Sequence, residues 1–218
     1  MERRRGSSAL AVLLLAASAL AGSARAEGDV QPVLAGFERW LAGTRELEGA
    51  FRQSLISGAL GAGVEERGRV YIKRPGRMRW DYRDPERKTA VVSGERTWLY
   101  IAEERELTLG RLEEQGRLLP TLLAGERPLS ELFEAHLLEP GRDGSLRLEL
   151  RPRAAEEEFE HVVVELRARD HAIRSAEVQD AAGNRMLYVF TDLKRNHGLP
   201  DGLFRFEPPE GTTVLGEP

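Results

Sequence analysis

The chain is 218 residues long with a formal net charge of −4, a length that suits one domain with a sizeable core. It contains no cysteine, which excludes disulfides, thiol catalysis, thiolate metal sites and lipidation of its own N-terminus. The acidic balance argues against nucleic acid and anionic lipid surfaces as partners.

Residues 1–8 carry Arg3, Arg4 and Arg5, and residues 9–22 form an uncharged run of small and apolar side chains. That run is short for a membrane span and reads as a secretory signal. Ala24 and Ala26 supply the small-residue cleavage pattern, so cleavage is expected after Ala26, with residues 27–218 as a single exported domain. An uncleaved anchor is the alternative. Loss of the N-terminal arginines makes the mature chain more acidic still.

In residues 29–42, Val30, Val33 or Leu34, Phe37 and Trp40 or Leu41 recur at helical spacing, and Gly43 stands where a helix stops. From Leu47 onward the pattern becomes short alternating runs between turn residues, among them Pro75-Gly76, Asp84-Pro85, Ser93-Gly94 and Ala182-Gly183-Asn184. This rhythm predicts an antiparallel sheet. Met78, Trp80 and Tyr82 share one face and Arg77, Arg79 and Asp81 the other; Leu146, Leu148 and Leu150 oppose Arg147, Glu149 and Arg151 in the same way. Residues 162–166, 176–178, 186–190 and 204–206 read as later strands. Around Trp98 and Tyr100 the alternation leaves open which face is concave.

Residues 118–138 interrupt the strands. Leu118, Leu119, Leu122 and Leu123 flank Pro120 and Thr121 and predict a short helix; after Pro128, Leu129, Leu132, Phe133 and Leu137 form an apolar stripe opposite Glu131 and Glu134, which predicts a second. With the N-terminal helix they give three apolar faces to lay on the sheet.

Catalysis has little to stand on. His136, His161, His171 and His197 are scattered without metal-ligand spacing and read as surface residues. The carboxylate runs Glu156-Glu157-Glu158 and Glu103-Glu104-Arg105-Glu106 read as solvated loop and hairpin tips. Neither a nucleophile-elbow motif nor a phosphate-cradling glycine loop occurs, so neither an enzyme nor a cofactor is expected. Lys73, Arg74, Arg77, Arg79 and Arg83 interleaved with Tyr71, Trp80 and Tyr82 would suit a nucleic-acid strand, but export and net acidity oppose that reading.

The run Lys73-Arg74-Pro75-Gly76-Arg77-Met78-Arg79-Trp80-Asp81-Tyr82, followed by Val92-Ser93-Gly94 and Trp98-Leu99-Tyr100, resembles the LolA family of periplasmic lipoprotein carriers. Downstream, Asp180-Ala181-Ala182-Gly183-Asn184, Asn196, Leu199 and the run from Phe204 to Gly211 extend the resemblance over nearly the whole mature chain. Two departures stand out: Met78 replaces the family's aromatic two positions before Trp80, and the sequence reaches Pro218 without the extra strand that some relatives append.

The resemblance implies a mainly β (α+β) fold, an unclosed antiparallel half-barrel covered by a lid of short helices and enclosing an apolar cavity for acyl chains. It assigns Arg74 as the lid latch, the alternative being a solvated arginine beside a turn. It points to Phe37, Leu41, Met78, Trp80, Tyr82, Leu122, Leu123, Leu132, Phe133 and Leu148 as cavity residues, although ordinary core uses the same residue types. The implied partners are acylated lipoproteins, an inner-membrane ATP-driven lipoprotein release complex and an outer-membrane lipoprotein acceptor, with the protein acting as a monomer. The competing reading is another periplasmic lipid- or acyl-binding protein, or an envelope-stress sensor subunit, on the same half-barrel.

Overall fold

The computed structural model describes residues 29–58, 63–112, 120–124, 127–154 and 159–216. The signal segment, residues 118–119 of the expected lid helix and the Glu156-Glu157-Glu158 run lie outside the described residues.

Helix α1 spans Val30–Ala42. The Asp29 carboxylate accepts the Gln31 N–H at 3.0 Å and starts it. Val33, Leu34, Phe37, Trp40 and Leu41 are its buried stripe. Gly43 closes it, its N–H donating to Arg39 O.

Among the described residues, twelve strands form one open sheet. The first half runs β1 (Glu46–Ile56), β2 (Gly63–Lys73), β3 (Arg77–Asp84), β4 (Lys88–Ser93), β5 (Arg96–Ile101) and β6 (Glu106–Arg111). The second runs β7 (Phe133–Leu138), β8 (Leu146–Pro152), β9 (His161–Leu166), β10 (Ile173–Gln179) and β11 (Arg185–Arg195), and β12 (Thr213–Leu215) ends it. The order is β12-β6-β5-β4-β3-β2-β1-β11-β10-β9-β8-β7. Two consecutive antiparallel meanders are thus joined where β1 pairs with β11, and the sheet ends at β12 on one side and β7 on the other. Of these strands only β12 pairs parallel, against β6, and nothing in the sequence reading anticipated it.

Alternation puts one face toward α1. Along β1, Leu47, Phe51 and Gln53 are buried between more exposed neighbours; register then aligns Phe51 with Phe190 on β11 and Gly68 on β2. Gly68 is required there because a Cβ would strike the Asp81 carbonyl and the Phe51 ring. The glycine sits at a register shift between β2 and β3, and the bare backbone lets the ring edge approach it closely.

Two expected elements differ. The second lid helix is only the four residues Leu129–Leu132, α2, and Phe133–Leu138 is strand β7, paired with β8 from Phe133↔Pro152 to Leu138↔Arg147. The segment satisfies both periods, since Phe133, Ala135 and Leu137 alternate with Glu134 and His136; a vacant sheet edge decides for the strand. The expected strand at 204–206 is instead a 3-10 turn, Asp201–Phe204, followed by irregular chain. Pro200, Pro208 and Pro209 remove ladder donors around it. The first lid element, Pro120–Ala124, is a single π-helical turn.

Candidate functional site

The lid-side face of the sheet and the three helical elements share one apolar cluster. Phe37, Leu41, Met78, Trp80, Leu122, Leu123, Phe133 and Leu148 all belong to it and are buried, with Phe37, Met78 and Leu148 wholly out of solvent. Tyr82 and Leu132 pack against it partly buried. α1 lies over β7 and β8, while the π turn lies over β2 and β3. The structure therefore brings the sequence-selected residues together, with the lid side chains resting directly on the sheet.

The floor under Trp80 is aromatic. Its ring meets Phe51 edge-on with centroids 4.7 Å apart, Tyr188 at 5.4 Å and Phe190 at 6.2 Å. Phe51 also meets Tyr82 edge-on at 5.0 Å. Such pairs add to simple area burial through their edge-to-face geometry.

Polar contacts at its ends fasten the lid. Arg74 Nη1 donates to Leu41 O at 2.7 Å, in the last turn of α1. From the other side, Arg195 Nη1 donates to Thr44 Oγ1 at 3.1 Å and its guanidinium lies 5.4 Å from the Trp40 ring centre. Two cations at a helix C-terminus are favoured by its partial negative charge and by the carbonyls that lack helical partners. Asn196 Nδ2 donates to Gly43 O at 2.8 Å, while its Oδ1 accepts from Arg45 N and Glu46 N. On the π turn, Ala124 O accepts the Gly76 N–H at 2.9 Å. Helix α2 is tied to α1 where the Glu38 carboxylate accepts both the N–H and the hydroxyl of Ser130. A cleft of about 160 Å³ opens at this seam, between Leu41, Arg74, Leu122 and Leu129.

One stretch of the lid-side face is polar. Tyr82 OH donates to Gln53 Oε1 at 2.9 Å, Gln53 Nε2 donates to Glu66 Oε2 at 3.2 Å, and Lys88 Nζ pairs with Glu66 Oε1 at 2.5 Å. Burial, aided by the nearby Tyr188 and Glu66, pushes the Tyr82 phenol far above its usual range; burial and Glu66 do the same to Tyr188. Both phenols therefore stay protonated donors. The sequence reading missed Gln53, Glu66, Lys88 and Tyr188, which lie on four different strands.

The outer face has its own apolar layer. Val91, Leu107, Leu199 and Phe204 are buried but stand apart from the lid-side cluster. The 201–204 turn lies on β3 and β4, Phe204 sits under the Arg77 guanidinium at 5.7 Å, and Phe206 meets Tyr100 at 5.2 Å. Register settles the face left open by the sequence: Ala90 pairs with Leu99 and Val91 with Trp98, so Leu99 faces the lid and Trp98 and Tyr100 face outward. Lys73 anchors this layer by donating to Leu199 O at 2.6 Å and pairing with Asp201 at 2.8 Å. A recess of about 480 Å³ also opens on the outer side among Ala50, Arg52, Arg67, Arg83, Val189 and Thr191; its three guanidiniums make it unsuited to an acyl chain. Among the histidines, His161 is not a surface residue: its side chain is 14% exposed and lies 3.9 Å from Glu149, because β8 and β10 flank β9 on both sides.

Among the described residues no cluster of three or more His, Asp or Glu is placed to hold a metal, and no helix is long and apolar enough to cross a membrane. The open sheet, its short helical cover and the apolar layer between them define an unclosed half-barrel lidded by helices. The chain belongs to the LolA family, described as outer membrane lipoprotein carrier protein, whose pattern it matches over residues 42–207. It is 33% identical over 196 residues to an outer-membrane lipoprotein carrier protein of Alkalilimnicola ehrlichii, covering 86% of this chain and 88% of that one. It is likewise 33% identical over 152 residues to one of Nitrosospira multiformis, covering 69% and 72%. In fold it is similar to an uncharacterized conserved protein from Thermus thermophilus, with TM-score 0.54, 15% identity and coverage of 86% and 99%.

Proposed function

We propose that this protein is an exported periplasmic carrier, with residues 27–218 forming one domain after signal cleavage. It takes the acyl chains of lipoproteins from an inner-membrane ATP-driven release complex and passes them to an outer-membrane acceptor, working as a monomer and without catalysis. The family membership supports the lipoprotein-carrier role. The observation that carries the mechanism is that the apolar layer is covered by separate short elements, held at their ends by a few polar contacts.

The energetics suit a reversible carrier. Burying one methylene is worth ~0.8 kcal/mol, so an acyl chain of about sixteen carbons gains roughly 12 kcal/mol on leaving water. In the described arrangement Phe37, Leu122 and Leu123 belong to the same buried cluster, and each such side chain is worth about 1.5–3 kcal/mol when buried. Lid and cargo therefore compete for one surface with energies of the same order. Cargo is sheltered in transit yet released when the lid recloses. In this scheme Arg74 is the latch of the empty state, and Phe37, Leu41, Met78, Trp80, Tyr82, Leu122, Leu123, Leu132, Phe133 and Leu148 line the space that opens.

The test is to strip the purified protein of ligand and offer it a fluorescent apolar probe, then an acylated lipoprotein peptide. Probe binding, displacement by the peptide and onward transfer to outer-membrane vesicles support the reading. A protein that binds neither probe nor peptide is not a carrier. One that binds free lipid but never the peptide belongs to the competing class of periplasmic lipid binders.

A further inference from the structure

The polar stretch of the lid-side face is costly to build and lies where the apolar surface meets water. Register places Gln53 of β1 between Glu66 of β2 and Tyr188 of β11. On one side of that row is the aromatic floor of Phe51 and Trp80. On the other, Leu55 pairs with Val64 and Met186, and Leu55 and Val64 are 41% and 58% exposed. The row Tyr82–Gln53–Glu66–Lys88 thus forms a belt between an apolar interior and an apolar, solvent-facing rim. The Glu66 and Lys88 side chains are only 14% and 21% exposed, and apolar replacements would be easier to bury.

The belt's chemistry is specific. Its net charge is zero, because Glu66 neutralises Lys88. Lys88 has three N–H donors and the carboxylate takes one; Gln53 has two amide N–H and the carboxylate takes one. Lys88 also lies 4.4 Å from the centre of the Tyr82 ring, which fixes it over the inner face. The belt therefore has N–H groups to offer a carbonyl and no uncompensated charge to offer a carboxylate.

We propose that Glu66 and Lys88, with Gln53 and Tyr82, form a headgroup filter that admits acyl chains on uncharged ester or amide linkages and discriminates against free fatty acids. This rests on the carrier reading and names the ligand class of that same site. An ester or amide carbonyl takes a hydrogen bond from Lys88 or Gln53 and leaves the ion pair intact. A fatty-acid carboxylate must share Lys88 with Glu66, placing two like charges side by side in a half-buried setting and losing its own hydration. An ambient pool of free fatty acid then does not fill the carrier.

The experiment measures competition of palmitate and of monopalmitoylglycerol against an apolar fluorescent probe, at a pH well above the carboxylate range. The readout is the ratio of the two dissociation constants. The wild-type protein should prefer the ester. Glu66→Gln leaves Lys88 uncompensated and should shift the ratio toward palmitate by about ten- to a hundredfold, as expected for one charge contact at intermediate dielectric. Lys88→Gln should shift it the other way, and the double Glu66→Gln, Lys88→Gln variant should return it to within about threefold of wild type, because net charge is zero again. A ratio that stays constant while both affinities fall shows a merely structural pair and overturns the filter. So does a wild-type protein that prefers palmitate. Should Glu66→Gln fail to fold, Lys88→Gln and the double variant decide by the same ratio. A wild-type protein that binds probe and acylated peptide but neither of these two ligands overturns the filter alone, whereas one that binds neither probe nor peptide refutes the carrier reading, and the filter falls with it.

Discussion

Replacing Arg74 by leucine probes whether the lid competes with cargo. The guanidinium donates at 2.7 Å to Leu41 O in the last turn of α1, and a hydrogen bond from a charged donor is worth about 1.5–3 kcal/mol. Arg195 and Asn196 still hold the same helix end in the variant, so the lower part of that range applies. Leucine also keeps an aliphatic side chain in the lining of the cleft that Arg74 shares with Leu122. In the proposed carrier scheme only the empty state loses energy, because loading displaces α1 and gives up the contact in any case. Loss of about 1.5 kcal/mol from the closed state raises apparent affinity for an acylated cargo by about tenfold. Cargo loaded on Arg74→Leu protein should therefore be retained longer and passed to outer-membrane vesicles about tenfold more slowly. Hydrogen exchange of the α1 amides in the empty protein should accelerate in parallel. Transfer at the wild-type rate, or weaker retention of cargo, would refute the latch and leave Arg74 a surface arginine beside a turn.

Other expectations follow from single residues. Met78 is wholly buried between Ile72 and Val92 in register, so Met78→Glu puts a carboxylate in the apolar layer at a cost of several kcal/mol; loading should fall and Trp80 emission should cease to respond to ligand, whereas unchanged loading in a stable variant moves the acyl site elsewhere. Asn196 joins Gly43 O to the amides of Arg45 and Glu46 from a left-handed backbone, φ 54°, so Asn196→Ala should cost about 2 kcal/mol in denaturant unfolding, and no change in midpoint would show the junction to be held by other bonds. The Arg174 guanidinium, helped by Ser145, lowers the Asp143 carboxyl from 3.8 to about 2. A depressed folded-state pKa contributes stability that is full above 3.8 and disappears as the pH falls toward 2, so Asp143→Asn should flatten acid unfolding within that window and leave the neutral-pH midpoint shift independent of pH; an unchanged acid limb would refute the assignment.

Much of this protein is decided by alternation, which a sequence shows directly. Met78, Trp80 and Tyr82, or Leu146, Leu148 and Leu150, share a face because strand geometry has period two whatever the surroundings. The stripe of α1 is equally legible, since Phe37 and Leu41 fall four residues apart. Periodicity could not choose between helix and strand for residues 133–138, where both patterns fit, and the free edge beside β8 decided. Nor could it orient Trp98 and Tyr100, because both sides of β5 are covered, one by the lid-side layer and the other by the chain around Phe204 and Phe206. Arg74 drew attention only through a family motif; its bond to Leu41 O depends on where α1 comes to rest. The polar belt was hidden for a related reason. Gln53, Glu66 and Lys88 each look like an outward polar or rim residue in their own strand, and only the registers of β1, β2, β3 and β4 set them beside Tyr82 on the inner face. Local sequence determines which side chains share a face of an element; which faces meet, and which polar groups thereby become neighbours, is set by strand pairing across the whole chain.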